Sequence, residues 1–242
     1  MTMIAIAEIS GADSIAAALR FASENPESRL IPTYVHTGTE FGDFTRVEAN
    51  VDFLRAELAA QGARLEGGLR HAEEPALWRA LAGRPARILQ ERFGAYLPCV
   101  ACHLYLHLMR IPIARECGAT TVVSGEREAH GSRTKANQLP QALSAYQRVL
   151  AHAGLDLVMP LRAITDAEQI EEILGPRWSG GSPQLECVLK GNETDVRGMP
   201  AGQLPAEFVE CYIEPVGMAI ADAMLRDERD WDSIVSGVLA RL

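Results

Sequence analysis

The sequence predicts an α/β fold, a doubly wound parallel sheet with helices on both faces and a helical C-terminal extension. Two observations predict it. Short apolar runs typical of buried strands alternate with segments of helical spacing from residue 3 to residue 175, which is the pattern of a parallel sheet with crossover helices. The last fifty residues show helical spacing only. We therefore expect an α/β domain over residues 1–195, with a helical extension over residues 196–242 packed on it.

The first half of the chain contains strands and helices in alternation. The helix assignments rest on spacings such as Val47, Val51 and Leu54, which place apolar side chains on one face. The third strand is a weak candidate. In order, the elements are strand 3–9, helix 15–22, strand 30–38, helix 45–62, strand 63–69 and helix 75–92.

The second half continues the alternation and then becomes helical. Pro112 should kink or restart the helix that begins after Leu97, and glycines end two later helices. A loop-like segment covers residues 175–192. The elements are strand 119–125, helix 139–154, strand 155–161, helix 166–175 and two final helices at 205–225 and 229–241.

Composition and charge restrict the function classes. The net charge is −9, and a basic stripe for nucleic-acid backbone is not visible, which favours a small molecule, or RNA held at a few points. No apolar run reaches about 18 residues, and the first ten residues do not resemble a signal peptide. We expect a cytoplasmic protein without a membrane partner. The five cysteines are then better explained by metal or redox use than by disulfides.

A phosphate site is indicated at the first strand–helix turn, Ser10-Gly11-Ala12-Asp13-Ser14. Backbone N–H groups at a helix start favour an anion, and a glycine lets a phosphate approach. An ordinary capped helix is the alternative, because Ser10 or Asp13 is a good N-cap. The second strand ends in a similar polar turn that starts at Thr37, where Glu40 could bind magnesium or a ribose or simply belong to a turn.

Two cysteines, Cys99 and Cys102, follow Pro98 at a helix start, which lowers a thiol pKa and favours the metal-binding thiolate. Cys187, in the 175–192 loop, is a third candidate, although it could be buried and inert. These three thiols with one histidine could form a closed zinc site. His103 could equally be a plain helix residue, as could His107.

A dense polar cluster follows the 119–125 strand, at the edge of a sheet where α/β proteins bind ligands. In it, Arg127 is expected to clamp a phosphate or carboxylate, Glu126 to orient Arg127 or bind magnesium, and His130 to donate or accept a proton. The alternative is a solvated loop in which Glu126 and Arg127 pair with each other. The cluster comprises Glu126, Arg127, Glu128, His130, Ser132, Arg133 and Lys135.

Over about residues 3–190 the chain resembles the PP-loop ATP pyrophosphatase superfamily. The residues Ile9 to Ser14 resemble its Ser-Gly-Gly-x-Asp-Ser loop, with Ile9 and Ser10 differing from the usual Ser and Gly. Ser124-Gly125-Glu126 looks like its second nucleotide motif. The three cysteines Cys99, Cys102 and Cys187 resemble those of the tRNA 2-thiolation branch, which hold a 4Fe-4S cluster with one iron left open.

The resemblance implies a HUP/Rossmann-like fold and an ATP-dependent sulfurtransferase. ATP with Mg²⁺ would bind at Ser10, Gly11, Asp13, Ser14, Thr37 and Gly125, and Asp13, Glu126, Arg127 and His130 would serve catalysis. The enzyme would adenylate a carbonyl of a small molecule or nucleobase, with tRNA possible, and exchange oxygen for sulfur from a donor. We expect a homodimer. The alternatives are an amide-forming or nucleotide-processing enzyme with structural zinc, and a non-catalytic nucleotide sensor.

Overall fold

A computed structural model describes residues 2–94, 97–131, 134–178, 184–189, 193–194 and 204–242. Within these ranges, six parallel strands form the central sheet in the order β4-β2-β1-β6-β8, and β5 also pairs with β2. The strands are β1 (Ile4–Glu8), β2 (Arg29–Val35), β4 (Arg64–Leu65), β5 (Arg70–Ala72), β6 (Thr121–Val123) and β8 (Asp156–Val158). Four two-residue strands form two small antiparallel pairs: β3 (Glu40–Phe41) pairs with β9 (Glu186–Cys187), and β7 (Thr134–Lys135) pairs with β10 (Glu193–Thr194).

Strand β1 occupies the middle of the sheet because its apolar residues are buried on both faces, as in other parallel sheets. Ile6 lies opposite Ile31 of β2 and opposite Val122 of β6. Because side chains alternate between the two faces of the sheet, Ile6 lies in one hydrophobic core and its neighbours Ala5 and Ala7 lie in the other. The predicted doubly wound α/β fold is therefore confirmed.

The helices cover both faces of this sheet. Helices α1, α2 and α8 pack on the face of Ala5 and Ala7, and α5, α6, α7 and α10 pack on the face of Ile6. The helices are α1 (Ala12–Glu24), α2 (Thr45–Ala60), α3 (Pro75–Trp78), α4 (Ala86–Phe93), α5 (Pro98–Leu108), α6 (Arg110–Cys117), α7 (Pro140–His152), α8 (Ala167–Leu174), α9 (Ala206–Phe208), α10 (Glu214–Leu225) and α11 (Trp231–Leu239).

Three predicted helices are divided in the structure. The helix with Pro112 ends at Leu108 and restarts at Arg110, because the proline ring clashes with the carbonyl four residues earlier. The 75–92 helix consists of α3, a π-helical turn over Arg79–Gly83 and α4. The 205–225 helix likewise contains a π-helical turn, Val209–Ile213. Prolines break helical hydrogen bonding, so a spacing pattern overestimates helix length.

The C-terminal helices pack against the α5–α7 face. Tyr212 donates a hydrogen bond to the Leu81 carbonyl at 2.6 Å, and Arg148 of α7 pairs with Glu214 at 2.7 Å. The predicted division between residues 195 and 196 lies outside the described residues, so the two-domain assignment stays a prediction. In the part of the chain that the structure describes, no helix is both long and apolar enough to cross a membrane.

Candidate functional site

A cleft of about 560 Å³ opens at the carboxyl ends of β1, β2 and β6, beside the start of α5. It is the edge at which the sequence predicted a site. Nine of the predicted site residues line it: Ser10, Asp13, Ser14, Thr37, Cys99, Cys102, Gly125, Glu126 and Cys187. Gly11, Arg127 and His130 do not line this cleft, although each contacts a residue that does.

The first turn is held by its own side chains. Ser14 Oγ accepts a hydrogen bond from the Ser10 N–H at 2.8 Å and donates one to the Gly11 carbonyl at 2.8 Å. Asn50 of α2 donates to the Ser10 carbonyl at 2.7 Å. These bonds fix the chain where it enters α1, so the helix N-terminus faces the cleft in one conformation, and such an end favours an anion.

The turn that follows β6 touches the first turn directly. A methyl group placed on Gly125 would lie 2.5 Å from the Ser14 nitrogen, which is closer than real side-chain carbons approach. Glycine is therefore required here for the close approach of two backbones. The two glycine-containing turns of the sequence form one continuous surface.

Asp13 begins a chain of polar contacts beside the cleft. Arg127 Nη2 lies 3.3 Å from its carboxylate and 2.7 Å from Nδ1 of His130. His130 Nε2 is 2.5 Å from Oε1 of Gln138. Because Arg127 can only donate, His130 accepts at Nδ1 and donates from Nε2, which is the neutral tautomer.

Glu126 is buried, with 4% of its surface exposed, and ends this chain of contacts. Its carboxylate accepts from Gln138 Nε2 at 2.5 Å and lies 2.6 Å from His103 Nδ1 and 3.7 Å from His107 Nε2. The proposed surface pair of Glu126 with Arg127 is thus wrong: among the described contacts, Glu126 pairs with histidines and Arg127 with Asp13.

Burial and neighbouring charges shift the pKa values of Glu126, His103 and His130. Burial alone would raise the pKa of Glu126, but the charge and hydrogen bond of His103 hold it well below its usual value. The pKa of His103 is raised, because the attraction of Glu126 outweighs burial. The pKa of His130 is lowered, chiefly by burial and by the Lys135 charge. His103 therefore favours its charged form and His130 its neutral form.

The three candidate thiols line the cleft. Cys102 is buried and accepts a hydrogen bond from Trp78 Nε1 at 3.2 Å, and burial raises its pKa to about 12. Cys187 lies 3.4 Å from Thr39 Oγ1 and accepts from the Leu189 N–H at 3.4 Å. Cys99 donates to the Leu189 carbonyl at 3.7 Å. Cys99 and Cys187 therefore contact the same residue, Leu189, one at its carbonyl and the other at its N–H.

A preformed metal centre is not seen in residues 2–94, 97–131, 134–178, 184–189 and 204–242: no three histidine, cysteine or carboxylate side chains there group closely enough to hold one ion. The helix start was expected to lower the thiol pKa values, but for Cys102 this was wrong because burial dominates. A buried neutral thiol is expected when no cation is beside it, since a metal is what favours the thiolate.

Sequence reasoning missed several residues that line the cleft. Arg110 is 1% exposed and donates to Thr33 Oγ1 at 3.2 Å and to the Leu106 carbonyl at 2.7 Å. Its other nitrogen is 4.0 Å from Glu8, which accepts from Ser124 Oγ at 2.6 Å. The sequence feature that could have indicated Glu8 is its position as a carboxylate at the end of an apolar strand. Ser132 and Arg133 of the predicted polar cluster lie outside the described residues.

Comparison with known proteins identifies one relative by sequence. Over 196 residues the chain is 34% identical to the uncharacterized protein MJ0009 of Methanocaldococcus jannaschii, covering 81% of this chain and 70% of the relative. No family model matches the chain.

A similar fold occurs in the crystal structure of a 4-thiouridine synthetase–RNA complex with bound ATP. The superposition has a TM-score of 0.55 with 17% sequence identity and covers 98% of this chain. The chain spans about half of that synthetase chain, 53%. This likeness supports the fold, because at so low an identity the residues of the two sites need not correspond.

Proposed function

The chain belongs to the family of the M. jannaschii protein MJ0009, and from the residues that line its cleft we propose that it is an ATP-dependent sulfurtransferase of the PP-loop type. It binds ATP with Mg²⁺ at the first turn, transfers AMP to a carbonyl oxygen of its substrate and replaces that oxygen by sulfur. The observation that carries the proposal is the shared cleft: the anion-binding turn and three thiols line the same 560 Å³ space.

Support for the nucleotide half comes from the rigid first turn. Ser10, Gly11, Asp13 and Ser14 present a helix N-terminus, and Gly125 packs against it at backbone distance. An anion placed there gains from the helix dipole and the backbone N–H groups. The fold is also that of a synthetase whose structure contains bound ATP. Thr37, on the cleft wall, completes the proposed nucleotide contacts.

The proposed reaction has two displacement steps. In the first, the substrate carbonyl oxygen attacks the α-phosphorus of ATP, and pyrophosphate leaves. In the second, a sulfur nucleophile from a donor attacks the activated carbon, and AMP leaves with the former carbonyl oxygen. Arg127 lies behind Asp13, which lines the cleft, and is held by Asp13 and His130. Its positive charge is thus close to the proposed phosphate site, where developing charge needs stabilising.

The donor set fits an iron–sulfur cluster by its chemistry. Cys99, Cys102 and Cys187 would hold the cluster as thiolates, and a cluster held by three cysteines could carry the incoming sulfur. A closed zinc site needs a fourth ligand. His103 is the nearest histidine in sequence, but Glu126 and Asn137 occupy its two nitrogens at 2.6 and 3.0 Å. This arrangement favours the cluster over the zinc alternative.

The proposed substrate is a small molecule or a nucleobase, presented free or within tRNA. The similar fold has been crystallised with RNA, whereas the net charge of −9 limits the number of phosphate contacts that RNA can make. A sulfur donor and a homodimeric enzyme complete the proposal.

Nucleotide binding is the direct test, measured by calorimetry with ATP and Mg²⁺. Asp13→Ala is expected to weaken binding at least about tenfold, which is about 1.4 kcal/mol, because Arg127 loses the carboxylate that positions it. Asp52→Ala, at an exposed position of α2, is the matched control and should bind like the unaltered protein. Absence of ATP binding by the intact protein contradicts the proposed function.

The sulfur half has a separate test. Protein purified without oxygen should be brown, with broad absorbance near about 400 nm, and should contain iron and sulfide. Cys187→Ser should lose the colour, whereas Cys211→Ser, on a π-helical turn that does not line the cleft, should keep it. A colourless protein containing zinc supports the amide-forming or nucleotide-processing alternative.

A further inference from the structure

Residues 184–189 form a short bridge across the cleft, which we call the cleft strap. Its strand β9 pairs antiparallel with β3, with Glu40 opposite Cys187 and Phe41 opposite Glu186. The Val188 N–H also donates to the Thr39 carbonyl at 2.9 Å. The strap is therefore attached to the turn that follows β2.

One end of the strap covers the first turn. A methyl group placed on Gly11 would lie 2.6 Å from Oε1 and 2.9 Å from Cβ of Gln184. Gln184 lines the cleft, whereas Gly11 is buried beneath it. The side chain thus occupies the space through which a phosphate would approach the glycine.

The other end of the strap carries a thiol and contacts a second one. Cys187 lies 3.4 Å from Thr39 Oγ1, and the next residues place the Leu189 carbonyl 3.7 Å from Cys99 Sγ. Both contacts depend on where the strap lies. Gln184 and Cys187 are three positions apart, or about 10 Å of extended chain, which is too short for one end to move independently of the other.

We propose that Gln184 is a positioning residue that couples nucleotide occupancy of the first turn to the placement of Cys187. This inference rests on the proposed nucleotide site. When phosphates enter, the Gln184 side chain withdraws from Gly11 and the strap shifts, moving Cys187 relative to Cys99. Nucleotide binding thereby changes the position of Cys187 relative to Cys99 before the sulfur step begins.

Thermodynamic linkage gives the sign of the effect. A ligand shifts an equilibrium only through its different affinity for the two states, and here the nucleotide favours the withdrawn strap. The contact between Gln184 and Gly11 therefore opposes nucleotide binding. Removing the Gln184 side chain should increase the affinity for the nucleotide. Nucleotide binding should then no longer shift the strap.

The test combines calorimetry with hydrogen exchange on the full chain, using ATP and Mg²⁺ as the probe. Gln184→Ala should bind ATP about fivefold more tightly, the lower end of usual coupling. In the unaltered protein ATP should accelerate amide exchange at Val188, whose bond to Thr39 loosens, while in Gln184→Ala ATP should leave that rate unchanged. Gln169→Ala, on the exposed side of α8, is the matched control and should behave like the unaltered protein.

The other outcomes overturn the inference in distinguishable ways. Unchanged or weaker ATP binding by Gln184→Ala shows that the side chain does not oppose the nucleotide. Tight ATP binding with no change in Val188 exchange shows that the strap does not respond, and the proposed function survives. No ATP binding by the unaltered protein contradicts both the inference and the proposed function.

Discussion

Two cavities of similar size lie at opposite ends of the sheet, and they use charge differently. The cleft at the carboxyl ends has about 560 Å³, and a cavity of about 480 Å³ is lined by the first residues of β2 and β4. In the second cavity Arg29 pairs with Glu66, both of them more than 40% exposed. Arg55 donates to the carbonyls of Leu65 and Gly67 at 2.9 and 2.7 Å.

The charged side chains at the two cavities differ in how deeply they are buried and in how many partners they share. Glu126 in the cleft and Arg127 beside it are 4% and 6% exposed, and their partners come from α1, α5 and the turn before α7. An exposed pair contributes little because water replaces a lost partner, whereas a buried charge without its partner is costly. Charges that a fold keeps buried at a cleft are therefore the better functional candidates.

The largest effect is expected from Glu126→Gln. The amide cannot neutralise His103, and the buried carboxylate that accepts from His103 and Gln138 is lost, so the free energy of unfolding should fall by about 3 kcal/mol in urea denaturation. Glu66→Gln, in the exposed pair at the other cavity, is the control and should leave the urea midpoint unchanged. Equal effects of the two substitutions would remove the distinction between the cavities.

Gly125→Ala should have the next largest effect. The added methyl would lie 2.5 Å from the Ser14 nitrogen, a backbone atom that cannot rotate away, so the two turns must separate at a cost of about 2 kcal/mol. ATP affinity should fall with stability, because the same displacement opens the proposed phosphate site. Gly68→Ala, where nothing lies within 4 Å of the added carbon, is the control; a similar loss there would refute the close-approach argument.

The smallest effect is expected from the pH dependence of His130. Its pKa in the folded protein is below the ordinary 6.5, so the unfolded chain takes up the proton first as the pH falls. This histidine therefore costs nothing well above pH 6.5 and destabilises the fold progressively below it. His130→Asn should remove that part of the acid sensitivity in thermal melts at pH 7 and pH 5.5. A steeper loss in the variant than in the unaltered protein would contradict the neutral assignment of His130.

The position of the site could be predicted from the sequence, because the end of a strand and the turn that follows it are formed by neighbouring residues. The carboxyl end of β1 at Glu8 and that of β6 at Val123 are followed directly by the turns that hold Asp13 and Glu126. In a parallel sheet these ends must share one edge. The fold class and the position of the cleft thus follow from the alternation of strands and helices.

Partner choice within the cleft could not be predicted in the same way. Glu126 was expected to orient its neighbour Arg127 or to bind magnesium, with a surface pair of the two residues as the alternative, but it bonds His103 and Gln138, 23 and 12 residues away. Adjacent residues on an extended segment point in different directions, so sequence proximity does not make a pair. Likewise, the Pro112 helix break was foreseeable, whereas the placement of Arg110 beneath the cleft was not.

The sequence by itself determined the alternating architecture, the glycine-containing first turn and the candidate thiols, because hydrophobic periodicity and turn chemistry act over a few residues. Only the tertiary structure decided which charges are buried, that burial raises the pKa of Cys102 and that Gln184 covers Gly11. Those properties depend on side chains brought together from distant parts of the chain, where packing and the loss of water fix both the partner and the charge.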